Sequence, residues 1–240
     1  MHLASQAATL YRARCPDAKA RSSARLLPHL LRWPAALVKS GAAMAAPLEI
    51  VILAGSPRSL SYTRSLARRI GDVLRRDGAR VELIDLHETP LPPLNPELRG
   101  APRTHPDAGV ATLLRAAAAA DAYVLASPTY HNSYAGVLKN ALDYLSIHDF
   151  RYRPVGLVGH GGRSTQAVDH LRQVVRGVLG VSIPTQVCTR ESDYAAAPGD
   201  SGFYDIVDPE ILERIERFAQ ELLLFAEHMR GLRAMAESPR

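Results

Sequence analysis

At 240 residues the chain is long enough for one sizeable core, and its 47% apolar content and net charge of +5 are those of an ordinary globular protein. The charge is uneven: residues 1–46 hold seven Lys or Arg against a single acid, Asp17, whereas the remainder holds 22 basic and 23 acidic residues. The basic character therefore belongs to the first segment and gives no reason to expect nucleic-acid binding by the rest. Two cysteines, Cys15 and Cys188, lie outside any C-x-x-C spacing, which excludes a disulfide framework or a cysteine metal site and suits a reducing cytoplasm.

Residues 1–46 are rich in Arg, Ala and Ser and lack sustained periodicity. Their longest apolar stretch, residues 26–38, is interrupted by Pro28, His29, Arg32 and Pro34 and is too short to span a bilayer, so no membrane segment is expected. The composition suits a cleaved organelle-targeting peptide. The blander reading, adopted here, is a disordered or mis-assigned extension with Met44 as the natural initiator, followed by one domain over residues 47–240.

The first strong signal is LEIVILAGSPRSLSYTR, residues 48–64. A β-branched apolar run, Ile50 to Leu53, has the composition of a strand buried on both faces, and Gly55 permits a sharp turn after it. Ser56, Arg58, Ser61, Tyr62 and Thr63 follow, offering hydroxyl donors and a cation to the positive end of a helix that begins near Thr63. The set suits a phosphate monoester. It is neither G-x-G-x-x-G nor G-x-x-x-x-G-K-[ST], which argues against a dinucleotide pyrophosphate or a nucleoside triphosphate at this loop. An ordinary serine-capped turn would use the same residues.

Residues 65–77 read as an amphipathic helix ended by Asp77-Gly78, and residues 81–86 as a strand. Six prolines between residues 87 and 107 force a long surface loop. Then come an alanine-rich helix (109–120), a strand (122–127), a helix (136–146), a strand (155–158), a helix (164–179) and a strand (183–189). Residues 191–207 read as an irregular excursion before a last helix, 209–235. Such alternation requires right-handed crossovers and a parallel sheet with helices on both faces. We therefore expect an α/β, flavodoxin-like three-layer sandwich with five parallel strands in the order 2-1-3-4-5. Its ligand crevice should lie at the carboxyl edge of the strands.

The loop after the third strand, Ser127-Pro128-Thr129-Tyr130-His131-Asn132-Ser133, can present backbone polar groups to the edge of a flat heterocycle and an aromatic side chain to its face. After the fourth strand, Gly161 and Gly162 allow close backbone approach, Ser164 adds a hydroxyl, and Arg163 offers a cation able to stabilise negative charge on a ring. His131 and His160 lack metal-ligand spacing, so no metal is expected. Lys139 and Asn140 read as a solvated or interface face, Tyr134 as a contact residue, and Arg151 and Arg153 as exposed. The stripe Ile211, Leu212, Ile215, Phe218, Leu222 and Phe225 reads as core.

These three loops, in this order, resemble those of the NAD(P)H-dependent FMN reductase family. The match rests on Gly55-Ser56-Pro57-Arg58 with Ser61 and Thr63, on residues 127–133 followed by Gly136-Val137-Leu138-Lys139-Asn140-Ala141-Leu142-Asp143, and on Gly161-Gly162-Arg163, although His160 stands where a small residue is expected. The resemblance implies FMN held by Ser56, Arg58, Ser61 and Thr63 at its phosphate, with Tyr62 a further cofactor-binding residue. Pro128, Thr129, Tyr130, His131, Asn132 and Ser133 would lie along its ring, and Gly161, Gly162, Arg163 and Ser164 on its pyrimidine side. It also implies hydride transfer from NADPH or NADH to the flavin and then to a small-molecule acceptor such as free flavin, a quinone, or an azo or nitro compound, with no protein nucleophile. A homodimer or homotetramer and a possible partner monooxygenase follow from the same resemblance. Two competing functions remain, a non-catalytic electron carrier and a flavoenzyme committed to one metabolite, for which Tyr194, Phe203 and Tyr204 would be the recognition element.

Overall fold

The computed structural model describes residues 46–98 and 105–237. The expected extension, residues 1–46, lies outside the described residues except for Ala46. Five parallel strands form the main sheet: β1 (Glu49–Ala54), β2 (Arg80–Asp85), β3 (Ala122–Tyr130), β5 (Pro154–His160) and β6 (Val181–Thr189), with β4 (Ser133–Tyr134) attached to the end of β3. The order β2-β1-β3-β5-β6 is the expected flavodoxin-like arrangement, with the reversal at β1 and β3. The helices are α1 (Tyr62–Arg76), α2 (Ala108–Ala119), α3 (Gly136–Asp143), α4 (Ile147–Phe150), α5 (Gln166–Gly177) and α6 (Pro209–Glu237).

Alternation along the central strands builds the three layers. Ile50 and Ile52 of β1 pack with Leu66, Ile70 and Leu74 of α1 and with Ile215, Phe218 and Leu222 of α6. Val51 and Leu53 face the opposite layer, against Leu113 of α2, Leu138 of α3 and Leu171 of α5. Each fully buried Leu, Ile or Phe contributes about 1.5–3 kcal/mol, so these two faces account for most of the fold's cohesion. No helix among the described residues is long and apolar enough to cross a membrane.

Four features differ from the sequence reading. First, β3 continues through Pro128, Thr129 and Tyr130, where a loop was expected, because Thr129 and Tyr130 pair antiparallel with Tyr134 and Ser133. The two linking residues, His131 and Asn132, have φ of 46° and 64°, the conformation a two-residue hairpin turn of matching twist demands. Second, the helix expected over 136–146 stops at Asp143, and α4 starts afresh where the Asp149 carboxylate accepts hydrogen bonds from the Ser146 N–H and hydroxyl.

Third, the excursion at 191–207 contains a hairpin, β7 (Tyr194–Pro198) paired with β8 (Tyr204–Ile206). It docks on α1, where the Tyr204 N–H donates to the Ser65 hydroxyl and the Arg68 guanidinium lies 4.6 Å from the centre of the Phe203 ring. Fourth, Arg153, expected to be exposed, is buried and donates to the Ala120 and His148 carbonyls, so it ties α4 to the start of β3. The proline-rich loop after β2 is held down by Asn140, which donates to the Pro92 carbonyl and accepts from the Leu94 N–H.

At the free edge of β6, Pro184 lies within a bulge opposite Gly156, and the side chains of Arg172 and Arg214 donate to the Ile183 and Gln186 carbonyls. The far end of α6 is anchored through Asp121, whose buried carboxylate accepts from Arg230, Arg233 and the Glu49 N–H. Burial alone would raise the Asp121 pKa, but these donors outweigh it and hold the group below its usual value. Stability from this carboxylate is therefore present above its unfolded value of about 3.9 and is lost as pH falls through its lower folded value. Asp121→Ala is expected to cost about 2–4 kcal/mol in a denaturant melt near neutral pH. A loss under ~0.5 kcal/mol would mean the two arginines find other partners at no cost.

Candidate functional site

The carboxyl ends of β1, β3 and β5 lie side by side, and the loops after them touch. Gly55 donates its N–H to the Ala126 carbonyl at 2.8 Å, and Pro128 stands in register with His160. Gly161, at φ 153°, sits so close to Thr129 that a Cβ placed on it would come within 2.8 Å of the threonine Cβ. The ring of Tyr62 lies 4.7 Å from that of His160, closing the gap between the first and third loops. The convergence that the sequence required is present.

In the first loop Ser56 is buried, and its Oγ accepts from the Ser61 hydroxyl at 2.8 Å. Ser61 caps α1 by accepting from the Arg64 N–H, so the capping role open to it in the sequence is one it plays. Arg58 is exposed. Thr63 is almost fully buried, and its hydroxyl has no hydrogen-bond partner among the described residues. The carbonyls of Pro57, Arg58 and Ser59 are all engaged, the first near His87 Nδ1 at 2.9 Å and the other two by the Arg64 guanidinium. Arg64 is itself held by Asp85 and Glu88. Those carbonyls are turned to side-chain donors, and the amino end of α1, which favours an anion, lies behind the loop. Arg64 and His87 went unrecognised in the sequence; the arginine's place inside the first helical turn was the one local signal.

The second loop is a closed hairpin. The Ser127 hydroxyl accepts the Ala135 N–H and donates to the Pro128 carbonyl, fixing both ends. Pro128 is buried, Tyr130 is 37% exposed, and His131 and Asn132 are exposed at the tip. Ser133 lies 3.0 Å from His170 Nδ1 of α5. Thr129 resembles Thr63: its hydroxyl is buried without a partner among the described residues.

In the third loop Gly162 is exposed and Ser164 is half-buried, its hydroxyl directed to Gln166. The Arg163 guanidinium, expected to stabilise negative charge on a ring, is 2.7 Å from Asp193 and 2.6 Å from Asp208, which balance its charge. His160 stacks on Tyr62, lies edge-on to Tyr194, and places Nδ1 3.1 Å from the Thr189 hydroxyl. Burial lowers its pKa, against the nearby Asp193 and Glu191, which favours a neutral ring at pH 7. Thr189, Tyr194, Asp193 and Asp208 support this loop and were not recognised as doing so. An Asp followed by Pro at a helix start, as at Asp208-Pro209, was the only local sign among them.

A cleft of about 470 Å³, lined by Arg163, Gln186, Cys188 and Arg214 among others, lies at the β6 edge and contains neither the first nor the second loop. Burial pushes the Cys188 thiol up to about 11, which leaves it protonated and without nucleophilic use.

Residues 48–193 match the family model of the NADPH-dependent FMN reductases. The FMN-dependent NADPH-azoreductase of Staphylococcus saprophyticus is 35% identical over 182 residues, covering 74% of this chain and 95% of that protein. The Staphylococcus aureus enzyme of the same name is likewise 35% identical, over 185 residues, with 74% and 95% covered. Among solved structures, an oxidoreductase from Corynebacterium diphtheriae superimposes with a TM-score of 0.58 at 23% identity, covering 77% of this chain and 99% of that one. The flavoenzyme NAD(P)H:(acceptor) oxidoreductase FerB from Paracoccus denitrificans gives 0.56 at 21% identity, with 75% and 97% covered. The two structural likenesses concern the fold. The family match over residues 48–193, with relatives at 35% identity covered almost end to end, establishes that the chain belongs to the NADPH-dependent FMN reductase family.

Proposed function

We propose that this protein is an FMN-dependent NAD(P)H oxidoreductase whose three converging loops hold FMN and whose acceptor is a small organic molecule. The observation that carries the reading is the pair of buried, unpartnered hydroxyls, Thr63 on the first loop and Thr129 on the second. A buried hydroxyl without a partner costs about 1–3 kcal/mol, and a ligand oxygen or nitrogen beside each would remove that cost. The donor set fits FMN. Ser56, Arg58, Ser61, Tyr62 and Thr63 would serve the phosphate, Pro128 to Ser133 the ring, and Gly161 to Ser164 its pyrimidine edge.

Once bound, FMN supplies the two-electron hydride chemistry. The chain's own residues bind and orient. Ser61 fixes Ser56 and the first turn of α1, Ser127 holds the second loop closed, and the neutral His160 keeps uncompensated charge away from the third. Tyr130 and His131, exposed at the rim, would border the face on which a nicotinamide and then an acceptor lie. NADPH is the donor favoured by the family's description, and an azo compound is the acceptor favoured by the names of the staphylococcal relatives. With free flavin as acceptor the same chemistry could serve a partner monooxygenase.

A homodimer or homotetramer is proposed as well. Beside the second loop lies an apolar cleft of about 320 Å³ lined by Leu86, Pro90, Leu91, Pro93 and Val137, a surface that a second copy would cover. The free, protonated Cys188 suits the cytoplasm, where NADPH is also available.

The deciding experiment is an absorption spectrum of the purified protein followed by anaerobic NADPH addition. A yellow protein that bleaches supports the reading, and a colourless one that takes up no added FMN rejects it. Arg58→Ala is expected to weaken FMN binding about tenfold, the loss of one exposed charge-assisted contact. Unchanged affinity in a fluorescence-quenching titration would remove Arg58 from the phosphate group's neighbourhood.

A further inference from the structure

We infer that Arg163 is a positioning residue: its guanidinium clasps the two ends of the hairpin segment and so holds the third loop in its ligand-ready shape, rather than placing its charge on the flavin. The inference rests on the flavin reading above. Three successive residues, Gly161, Gly162 and Arg163, have φ of 153°, 62° and 60°. The last of these is not a glycine, so its backbone is held in a conformation that side-chain-bearing residues avoid. Such a run persists only where its surroundings over-determine it.

Here they do. The N–H groups of Gly161 and Arg163 both donate to the Thr189 carbonyl, at 3.0 and 3.1 Å. The Arg163 side chain then leaves the loop on its outer side and makes three charge-assisted bonds. Nε and Nη2 reach the two oxygens of Asp193 at 3.2 and 2.7 Å, and Nη2 reaches Asp208 at 2.6 Å.

Both carboxylates are already committed to the hairpin segment. Asp193 is fully buried and accepts the Arg190 N–H, and its carbonyl accepts the N–H groups of Val207 and Asp208, which pins the segment's entrance to its exit. Asp208 uses its other oxygen to cap α6, accepting from the Glu210 and Ile211 N–H groups. From the same segment Tyr194 lies 2.9 Å from the Thr189 hydroxyl and donates to the Tyr62 carbonyl on the first loop. The hairpin lies beyond the family match, which ends at residue 193. Of the two carboxylates, Asp193 is the last residue of the match and Asp208 lies beyond it, so a segment that extends past the match helps to hold a loop inside it.

Without the clasp, the strained run relaxes, and FMN must reorder it on binding, so affinity falls for the oxidised form as well as the reduced one. A direct electrostatic role would instead weaken binding of the anionic reduced form more than the oxidised one.

The test titrates FMN, oxidised and dithionite-reduced, into apoprotein of the wild type, Arg163→Ala, Arg163→Lys and Asp208→Asn, with the bound flavin's midpoint potential measured in parallel. Asn at 208 keeps a cap for α6 while removing the charge facing Arg163. The expected result is a tenfold or greater rise in Kd for Arg163→Ala that is already present for oxidised FMN, with smaller rises for Arg163→Lys and Asp208→Asn and no lowering of the potential in those two variants, which do not leave the carboxylates unpaired. Unchanged affinity in Arg163→Ala overturns the inference, as does a loss confined to the reduced form with a lowered potential. Should Arg163→Ala not fold, the other two variants decide by the same criteria. Absence of FMN uptake by the wild type would instead retire the flavin reading.

Discussion

Thr63→Val is expected to make the apoprotein more stable and the holoprotein harder to form. The threonine sits in the first turn of α1, almost entirely out of solvent, with a hydroxyl that has no hydrogen-bond partner among the described residues. Removing an unsatisfied buried hydroxyl while keeping the side chain's shape should stabilise the apoprotein by about 1 kcal/mol, or about 2–4 °C for a chain of this size. If that hydroxyl donates to a phosphate oxygen, its loss removes a charge-assisted bond of about 1.5–3 kcal/mol and raises the FMN dissociation constant ~10–100-fold. Opposite signs from one substitution are hard to obtain from a purely structural residue. Paired melts with and without FMN read both effects, and a destabilised apoprotein with normal FMN affinity would show that the hydroxyl serves the fold alone.

Gly161→Val should have the larger effect on binding. Its φ of 153° is unfavourable for a β-branched residue, and the new Cβ would lie 2.8 Å from Thr129 Cβ and 3.0 Å from Thr129 Oγ1. Neither neighbour is the loose end of a long side chain. The second and third loops must therefore part, separating the ring edge from the pyrimidine side of the proposed cofactor. We expect FMN affinity to drop ~100-fold or more, with about 1–3 kcal/mol of strain seen as a fall of some 2–10 °C in Tm. The strands themselves should survive, since their core lies below the loops, so far-ultraviolet circular dichroism should be unchanged. Normal FMN retention would mean that the two loops need not abut to hold the ligand.

The sheet was legible because burial on both faces imposes apolar runs on β1, β3 and β5, and the intervening helices carry the 3.6-residue repeat. The first loop was legible for a similar reason, since small and hydroxyl residues after a buried strand are a local pattern. What escaped notice depends on distance in the chain. Arg163 finds Asp193 and Asp208 across 30 and 45 residues, and no spacing rule links them. Arg153 read as a surface cation because arginines mostly are, yet two carbonyls exposed by the end of α2 and by α4 draw it inside.

The β7–β8 hairpin carries Ala195-Ala196-Ala197 followed by Pro, Gly and Asp, which has no alternation to detect. It exists as a hairpin because α1 and Asp193 give it something to dock on. Pro128 hid the end of β3, since a residue without an N–H is ordinarily a sign that a central strand has finished. The His131-Asn132 turn hid β4 in the same way, lacking the Asn-Gly or Asp-Gly pair that usually betrays a two-residue hairpin.

The arginines that line β6 cover part of the backbone of an edge strand. A strand with open carbonyls and N–H groups on its outer side is a template for another strand, and lateral sheet growth is a common route to both dimers and fibrils. On β6 the Ile183 and Gln186 carbonyls are already occupied by Arg172 and Arg214, and Pro184 has no proton to give. At those positions a further strand finds no free partner for its backbone, which guards this flank of the sheet against lateral growth.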